Sequence, residues 1–95
     1  MKRDRYLVAY DIADPRRLRA VHKKVLGYGD SMQYSVFVCD LTSAERSMLV
    51  GGLLEIIDPG ADRVAIVVLG EGGSSEMFWF LGAKPRLPIS GSRIV

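Results

Sequence analysis

Tyr6-Leu7-Val8-Ala9-Tyr10-Asp11-Ile12-Ala13-Asp14-Pro15 is the stretch that decides how this chain is read. Residues 5–12 are mostly apolar with β-branched and aromatic content, which predicts a first strand. Asp14 followed by Pro15 predicts a helix start, with Asp14 at the N-cap and Pro15 at the first helical position. Asp11 therefore stands at the C-terminal end of a buried strand, on a rigid element, just before the chain turns. A carboxylate in that place is a candidate for metal or substrate work, and loop-flanking positions carry function more often than core ones. Arg16, Arg17 and Arg19 follow at once. An acid suited to Mg²⁺ beside guanidiniums suited to phosphate points to nucleic-acid chemistry.

Downstream of Asp14, the apolar positions Leu18, Val21, Val25 and Leu26 share one arc of a helix running to about Tyr28. Arg16, Arg19 and Lys23 lie on the opposite arc, with Arg17 and Lys24 flanking them, so the outer face is wholly basic. Gly27 and Gly29 end the helix. Residues 32–41 are β-rich, and periodicity leaves open one long strand or a tight hairpin near Tyr34-Ser35. Thr42-Ser43-Ala44-Glu45 matches a capping box and opens a second helix. Leu49, Leu53, Ile56 and Ile57 form its apolar stripe. Gly51 and Gly52 inside it each cost ~1 kcal/mol relative to alanine, so this helix depends on tertiary packing.

Asp58-Pro59-Gly60 stops the second helix, and Val64 to Leu69 reads as a central strand. Residues 70–75 read as a loop, 77–81 as a further strand, and 93–95 as a short one. The order β-α-β(β)-α-β-β favours an α+β sandwich with an antiparallel sheet.

Ninety-five residues give one domain, 1–95, burying roughly 65% of its unfolded surface. The net charge of +2 is too small to argue for nucleic acid by itself. Its distribution matters more, because Lys2, Arg3, Arg5, Arg16, Arg17, Arg19, Lys23 and Lys24 all lie near the N-terminal end of the chain. The N-terminus is charged rather than apolar, and no apolar run approaches the ~20 residues of a spanning helix. The expectation is a soluble, cytoplasmic protein with no membrane partner. A single cysteine, Cys39, excludes an intramolecular disulfide and a Cys-rich zinc site, and reads as a small core residue.

Four segments carry a family likeness: Tyr10-Asp11-Ile12, the helix start Pro15-Arg16-Arg17-Leu18-Arg19, Gln33-Tyr34-Ser35-Val36-Phe37, and Leu69-Gly70 with Gly82-Ala83-Lys84-Pro85. In order and spacing they resemble CRISPR-associated protein 2, the small subunit of the spacer-acquisition machinery, also described as a metal-dependent endonuclease. The resemblance runs through nearly the whole chain. It implies a ferredoxin-like βαββαβ sandwich with an antiparallel sheet and an extra C-terminal strand, in which residues 33–37 turn a hairpin. It also implies a homodimer, in which the C-terminal segment 76–95 crosses to extend the partner's sheet, and a CRISPR integrase subunit as partner. The strand-end aspartate of the family falls on Asp11, and its hairpin serine and phenylalanine on Ser35 and Phe37. Where the family usually carries a basic residue before the hairpin, this chain has Met32.

These residues define a candidate site. Asp11 is the expected catalytic carboxylate and Mg²⁺ ligand. Mg²⁺ wants six oxygens and commonly takes one or two carboxylates plus waters, so two Asp11 copies in a two-fold dimer can share one ion. Ser35 is expected to position a phosphate and Phe37 to stack a base, against the plainer reading of a turn serine and a core aromatic. Tyr10 alternates with Asp11 and faces the other side of its strand. His22, at the edge of the first helix's apolar arc, reads as a packing residue. Arg16, Arg17, Arg19 and Lys23 are the expected contacts to the backbone of RNA or duplex DNA. Two classes compete: a Mg²⁺-dependent endonuclease, and a structural adaptor that binds DNA and bridges the integrase. A stand-alone, toxin-like mRNA endonuclease is the third reading.

Overall fold

Along β1 (Asp4–Asp11), Tyr6, Val8 and Tyr10 are buried, Leu7 and Ala9 are half-covered, and Asp11 is exposed. Successive side chains of a strand point to opposite faces, so this one strand defines two unlike sides of a sheet. The computed structural model describes residues 2–71, 79–81 and 93–94. α1 (Pro15–Leu26) follows β1, then β2 (Asp30–Gln33), β3 (Val36–Leu41), α2 (Ser43–Ile56) and β4 (Arg63–Glu71). The four strands form one sheet in the order β2-β3-β1-β4, with every neighbouring pair antiparallel. This is the expected ferredoxin-like βαββαβ arrangement.

Both helices cover the face carrying Tyr6, Val8 and Tyr10. Val21 and Val25 of α1 and Leu49 and Leu53 of α2 share one core with Phe37, Cys39 and Leu41 of β3. Burial pushes the Cys39 thiol up to about 11, with Asp30 and Asp40 adding to it, so it is an inert packing group. On the other face a smaller cluster forms, in which Leu7, Met32 and Leu69 pack on Val38. Arg5 and Asp40, Cα partners in the β1–β3 ladder, add a two-pronged ion pair at 2.8 and 2.9 Å.

The helix signals act as their chemistry requires. Asp14 accepts from the Arg17 backbone N–H at 3.0 Å, Pro15 opens α1, and Lys23 and Lys24 sit in its last turn, where cations complement the helix dipole. Thr42 and Glu45 close the capping box at 2.8 and 3.1 Å. The Thr42 backbone N–H, then Arg3, hold the Glu45 carboxyl below its usual range. Gly29 lets the chain pass against β3, since a Cβ there would collide with the Val38 carbonyl and with Cys39. Gly70, at φ +122°, lies beside the β1–β4 register shift that leaves Leu69 without a partner across the ladder.

Three expectations change. The region 32–41 is a hairpin turning at Tyr34-Ser35, which resolves the alternative left open by periodicity. Leu26 is half exposed rather than buried. The aliphatic run in β4 is an edge strand of the four-stranded sheet rather than a central one, with Val67 and Val68 exposed. Its hydrophobicity belongs to a strand whose outer side meets no further strand of that sheet among the described residues. At the C-terminus, β5 (Trp79–Phe80) and β6 (Arg93–Ile94) pair in parallel as a separate two-stranded sheet. The rest of the segment 76–95 lies outside the described residues. Among the described residues, no helix is long and apolar enough to cross a membrane.

Candidate functional site

Asp11 is the last residue of β1 and is exposed. The backbone around it is fixed from both sides of the strand. On one side the Tyr10 N–H donates to the Ser35 carbonyl at 3.1 Å, and on the other Asp11 is the Cα partner of Arg63 in β4. Tyr10 points the other way, into the core, as strand alternation requires. Its hydroxyl lies 2.9 Å from His22 Nδ1 and donates to the Tyr34 carbonyl at 3.3 Å. Burial, with a smaller contribution from Tyr34, pushes the Tyr10 phenol up to about 12, so it stays a neutral hydrogen-bonding strut.

The segment just after Asp11 is held by an acid that sequence reasoning missed. Asp62 is buried and accepts from the Ala13 N–H at 2.9 Å, the Asp58 N–H at 2.8 Å, and the Arg17 guanidinium at 2.7 and 3.2 Å. The Arg17 guanidinium and these backbone donors hold the Asp62 carboxyl well below the usual range, and Asp62 in turn raises Arg17. Arg17 and Asp62 are 45 positions apart. No local pattern pairs them; only the fold brings the start of α1 against the start of β4.

The four basic residues expected on one surface therefore separate. Arg17 is half-buried and spent on Asp62, which makes it a positioning residue for the strand-end loop. Arg16, Arg19 and Lys23 are exposed and, among the described residues, make no ion pair. At 100° per residue they occupy one side of α1, while Arg17 lies on the flank that faces β4.

Ser35 is half-buried in the hairpin turn, with its carbonyl engaged by Tyr10. Phe37 corrects an expectation: it is 0% exposed, packed edge-on against His22 at 5.3 Å and stacked with Tyr10 at 6.2 Å between ring centres. A ring with both faces in the core has none to offer a base. Because the chain turns before Val36, Ser35 and Phe37 are not two steps along one strand. His22 is the packing residue expected, bridging Tyr10, Phe37 and the ring of Tyr34, which it stacks at 5.5 Å.

As a metal centre the arrangement supplies one exposed carboxylate per chain. Among the described residues no three His, Cys, Asp or Glu side chains gather to hold an ion. Asp11 suits a Mg²⁺ ion that keeps most of its waters, or one shared with a second copy's aspartate.

An antiparallel ferredoxin-like domain with an exposed strand-end carboxylate beside a basic helix defines the class, a small α+β protein of ferredoxin-like topology. The chain matches the family described as CRISPR associated protein Cas2 over residues 4–77. It is 46% identical over 65 residues to CRISPR-associated endoribonuclease Cas2 1 of Rhodospirillum rubrum, covering 68% of this chain and 64% of that one. It is 37% identical over 83 residues to CRISPR-associated endoribonuclease Cas2 2 of Thermodesulfovibrio yellowstonii, covering 87% and 88%. The crystal structure of Streptococcus pyogenes Cas2 superposes with a TM-score of 0.66 at 38% identity, over 70% of this chain and 86% of that one. The chain belongs to the Cas2 family of CRISPR-associated proteins.

Proposed function

We propose that this chain works as a homodimer in CRISPR spacer acquisition, binding nucleic acid along α1 and cutting its phosphodiester bonds with Mg²⁺ at Asp11. The observation that carries the reading is the exposed Asp11 carboxylate on a strand end fixed from both sides, beside a helix whose Arg16, Arg19 and Lys23 have no acidic partner among the described residues. Charges without internal partners on one face of a helix favour an anionic polymer. The names of the curated relatives favour RNA as the polymer that is cut. Duplex DNA meets the same basic face in the bridging role with the integrase subunit.

Two features of the sheet support the dimer. The outer edge of β4 exposes Val67 and Val68, a liability that a second chain relieves. The face opposite the helices carries Leu7, Met32, Val38 and Leu69, an apolar cluster that no helix covers among the described residues. A two-fold axis near the β1 ends gives the site two aspartates.

Each residue then has a task. Arg16, Arg19 and Lys23 hold the backbone phosphates, the Ser35 turn orients the strand end, and Asp62 with Arg17 keeps the loop after Asp11 in place. When bound, the ion supplies Lewis-acid polarisation of the scissile phosphate and a more acidic water. Sedimentation with and without a duplex oligonucleotide tests the binding half. A two-chain particle that binds, and that recruits the integrase subunit in pull-down, is expected. A monomer that binds neither rejects the reading.

A further inference from the structure

We infer that Tyr34 is a stacking platform for an unpaired nucleobase, so that this surface takes single-stranded nucleic acid in addition to backbone phosphates. The inference rests on the proposed nucleic-acid reading and adds a substrate feature to it. Tyr34 is 65% exposed at the tip of the β2–β3 hairpin, although its ring stacks on His22 with 5.5 Å between centres and 21° between planes. With one face against His22 and so much surface still in water, the other face of the ring looks outward. An exposed aromatic at a turn is ordinarily mobile and costs order to hold. This one is held at two points, the ring by His22 and the carbonyl by the Tyr10 hydroxyl at 3.3 Å, while Phe37 packs against the His22 ring at a steep angle, 5.3 Å between centres.

The surroundings match what a single strand needs. His22 lies at the edge of α1, and Arg19, three residues earlier, and Lys23, the next residue, extend from that edge onto the exposed basic face. Residues three apart on a helix are surface neighbours. Tyr34 thus borders a row of cations that have no acidic partner among the described residues. A pre-set aromatic face beside a basic track is the arrangement that binds single strands, each base contributing a π-face regardless of its identity. Bases inside a duplex are already stacked on one another, so the platform discriminates for unpaired segments. The sequence signal was present in Tyr34, but the stack on His22 that fixes the ring joins residues from two distant elements.

The experiment compares Tyr34→Phe, Tyr34→Leu and Tyr34→Ala against wild type for binding of a twelve-base poly-dT, a matching poly-U and a blunt duplex of equal length. Tyr34→Phe keeps the ring and is expected to bind like wild type. Tyr34→Leu keeps apolar cover over His22 but has no π-face, and is expected to lose roughly ten-fold in affinity for both single strands, with duplex binding unchanged. Equal losses on single strand and duplex would show a structural role only, and no loss on either would remove Tyr34 from binding; both overturn the inference. In the wild-type chain, irradiating bound 5-iodouracil oligonucleotide is expected to yield an adduct at Tyr34, and adducts confined to other residues count against it. Replacing Arg16, Arg19 and Lys23 separates the two levels. If that leaves all three ligands bound as before, the parent nucleic-acid reading of α1 fails irrespective of Tyr34.

Discussion

Arg16, Arg19 and Lys23 changed together to glutamine test how the structure divides the basic residues of α1. All three are exposed and have no acidic partner among the described residues, so removing their charge leaves the core and the strand-end loop untouched. Each phosphate contact releases counterion worth ~0.9 in the slope of log affinity against log salt. Three contacts make that slope shallower by about 2.7 per protomer engaged, and over a fourfold rise in salt this amounts to about 40-fold less loss of affinity. Arg17→Gln is the built-in control. Its guanidinium is committed to Asp62 at 2.7 Å, so its loss is expected to lower the melting temperature and leave the salt slope where it was. Fluorescence anisotropy of a labelled duplex from 50 to 200 mM salt, beside thermal melts of the same proteins, gives both readouts. A triple variant with the wild-type slope, or an Arg17→Gln protein with a shallower slope and an unchanged melt, would refute the division drawn here.

Three further outcomes follow from particular contacts. Tyr10→Phe removes the hydroxyl that meets His22 and the Tyr34 carbonyl, and is expected to cost about 1–2 kcal/mol in denaturant titration, with the hairpin exchanging amide hydrogens faster. Gly29→Ala puts a methyl into the Val38 carbonyl and Cys39, and overpacking of this kind is expected to cost about 1–3 kcal/mol; a melt within a degree of wild type would mean that the chain relaxes there freely. Asp62 has a folded-state pKa depressed by Arg17, so its contribution to stability is present above the ordinary carboxylate pKa of about 4 and falls away as acid is added below that. Asp62→Asn is therefore expected to be less stable at neutral pH and to show a flatter stability profile below pH 4, while an acid limb identical to wild type would assign the dependence to other carboxylates.

Much of this fold is written locally. Asp14-Pro15, the Thr42–Glu45 box and the alternation along β1 each depend on neighbours within four residues, and each is found where the sequence predicts it. The hairpin at Tyr34-Ser35 was legible only through the family likeness, since residues 32–41 lack glycine or proline to mark a turn. The sequence reads β4 as central because a continuous aliphatic run looks the same in a central strand and in an edge strand. The candidate site divides along the same line. Asp11 and the exposed face of α1 come from position and helical spacing. The Arg17–Asp62 pair and the Tyr10–His22–Tyr34 group join residues from different elements, and nothing in spacing specifies them. The family likeness points Phe37 toward function, and its complete burial returns it to the core.

The most direct test of the central claim is Asp11→Asn, assayed with wild type for cleavage of single-stranded RNA and duplex DNA in Mg²⁺ and in EDTA, with duplex affinity measured in parallel. Asparagine keeps the size of the side chain and removes the charge that holds the ion, at an exposed position that the core does not depend on. The account predicts that wild type cuts only with Mg²⁺, that the variant cuts nothing, and that both bind duplex equally. Two facing Asp11 carboxylates would also repel without metal, so the variant is expected to be at least as stable as wild type in EDTA, with Mg²⁺ stabilising wild type alone. An Asp11→Asn protein that still cleaves at the wild-type rate in Mg²⁺ would contradict the account.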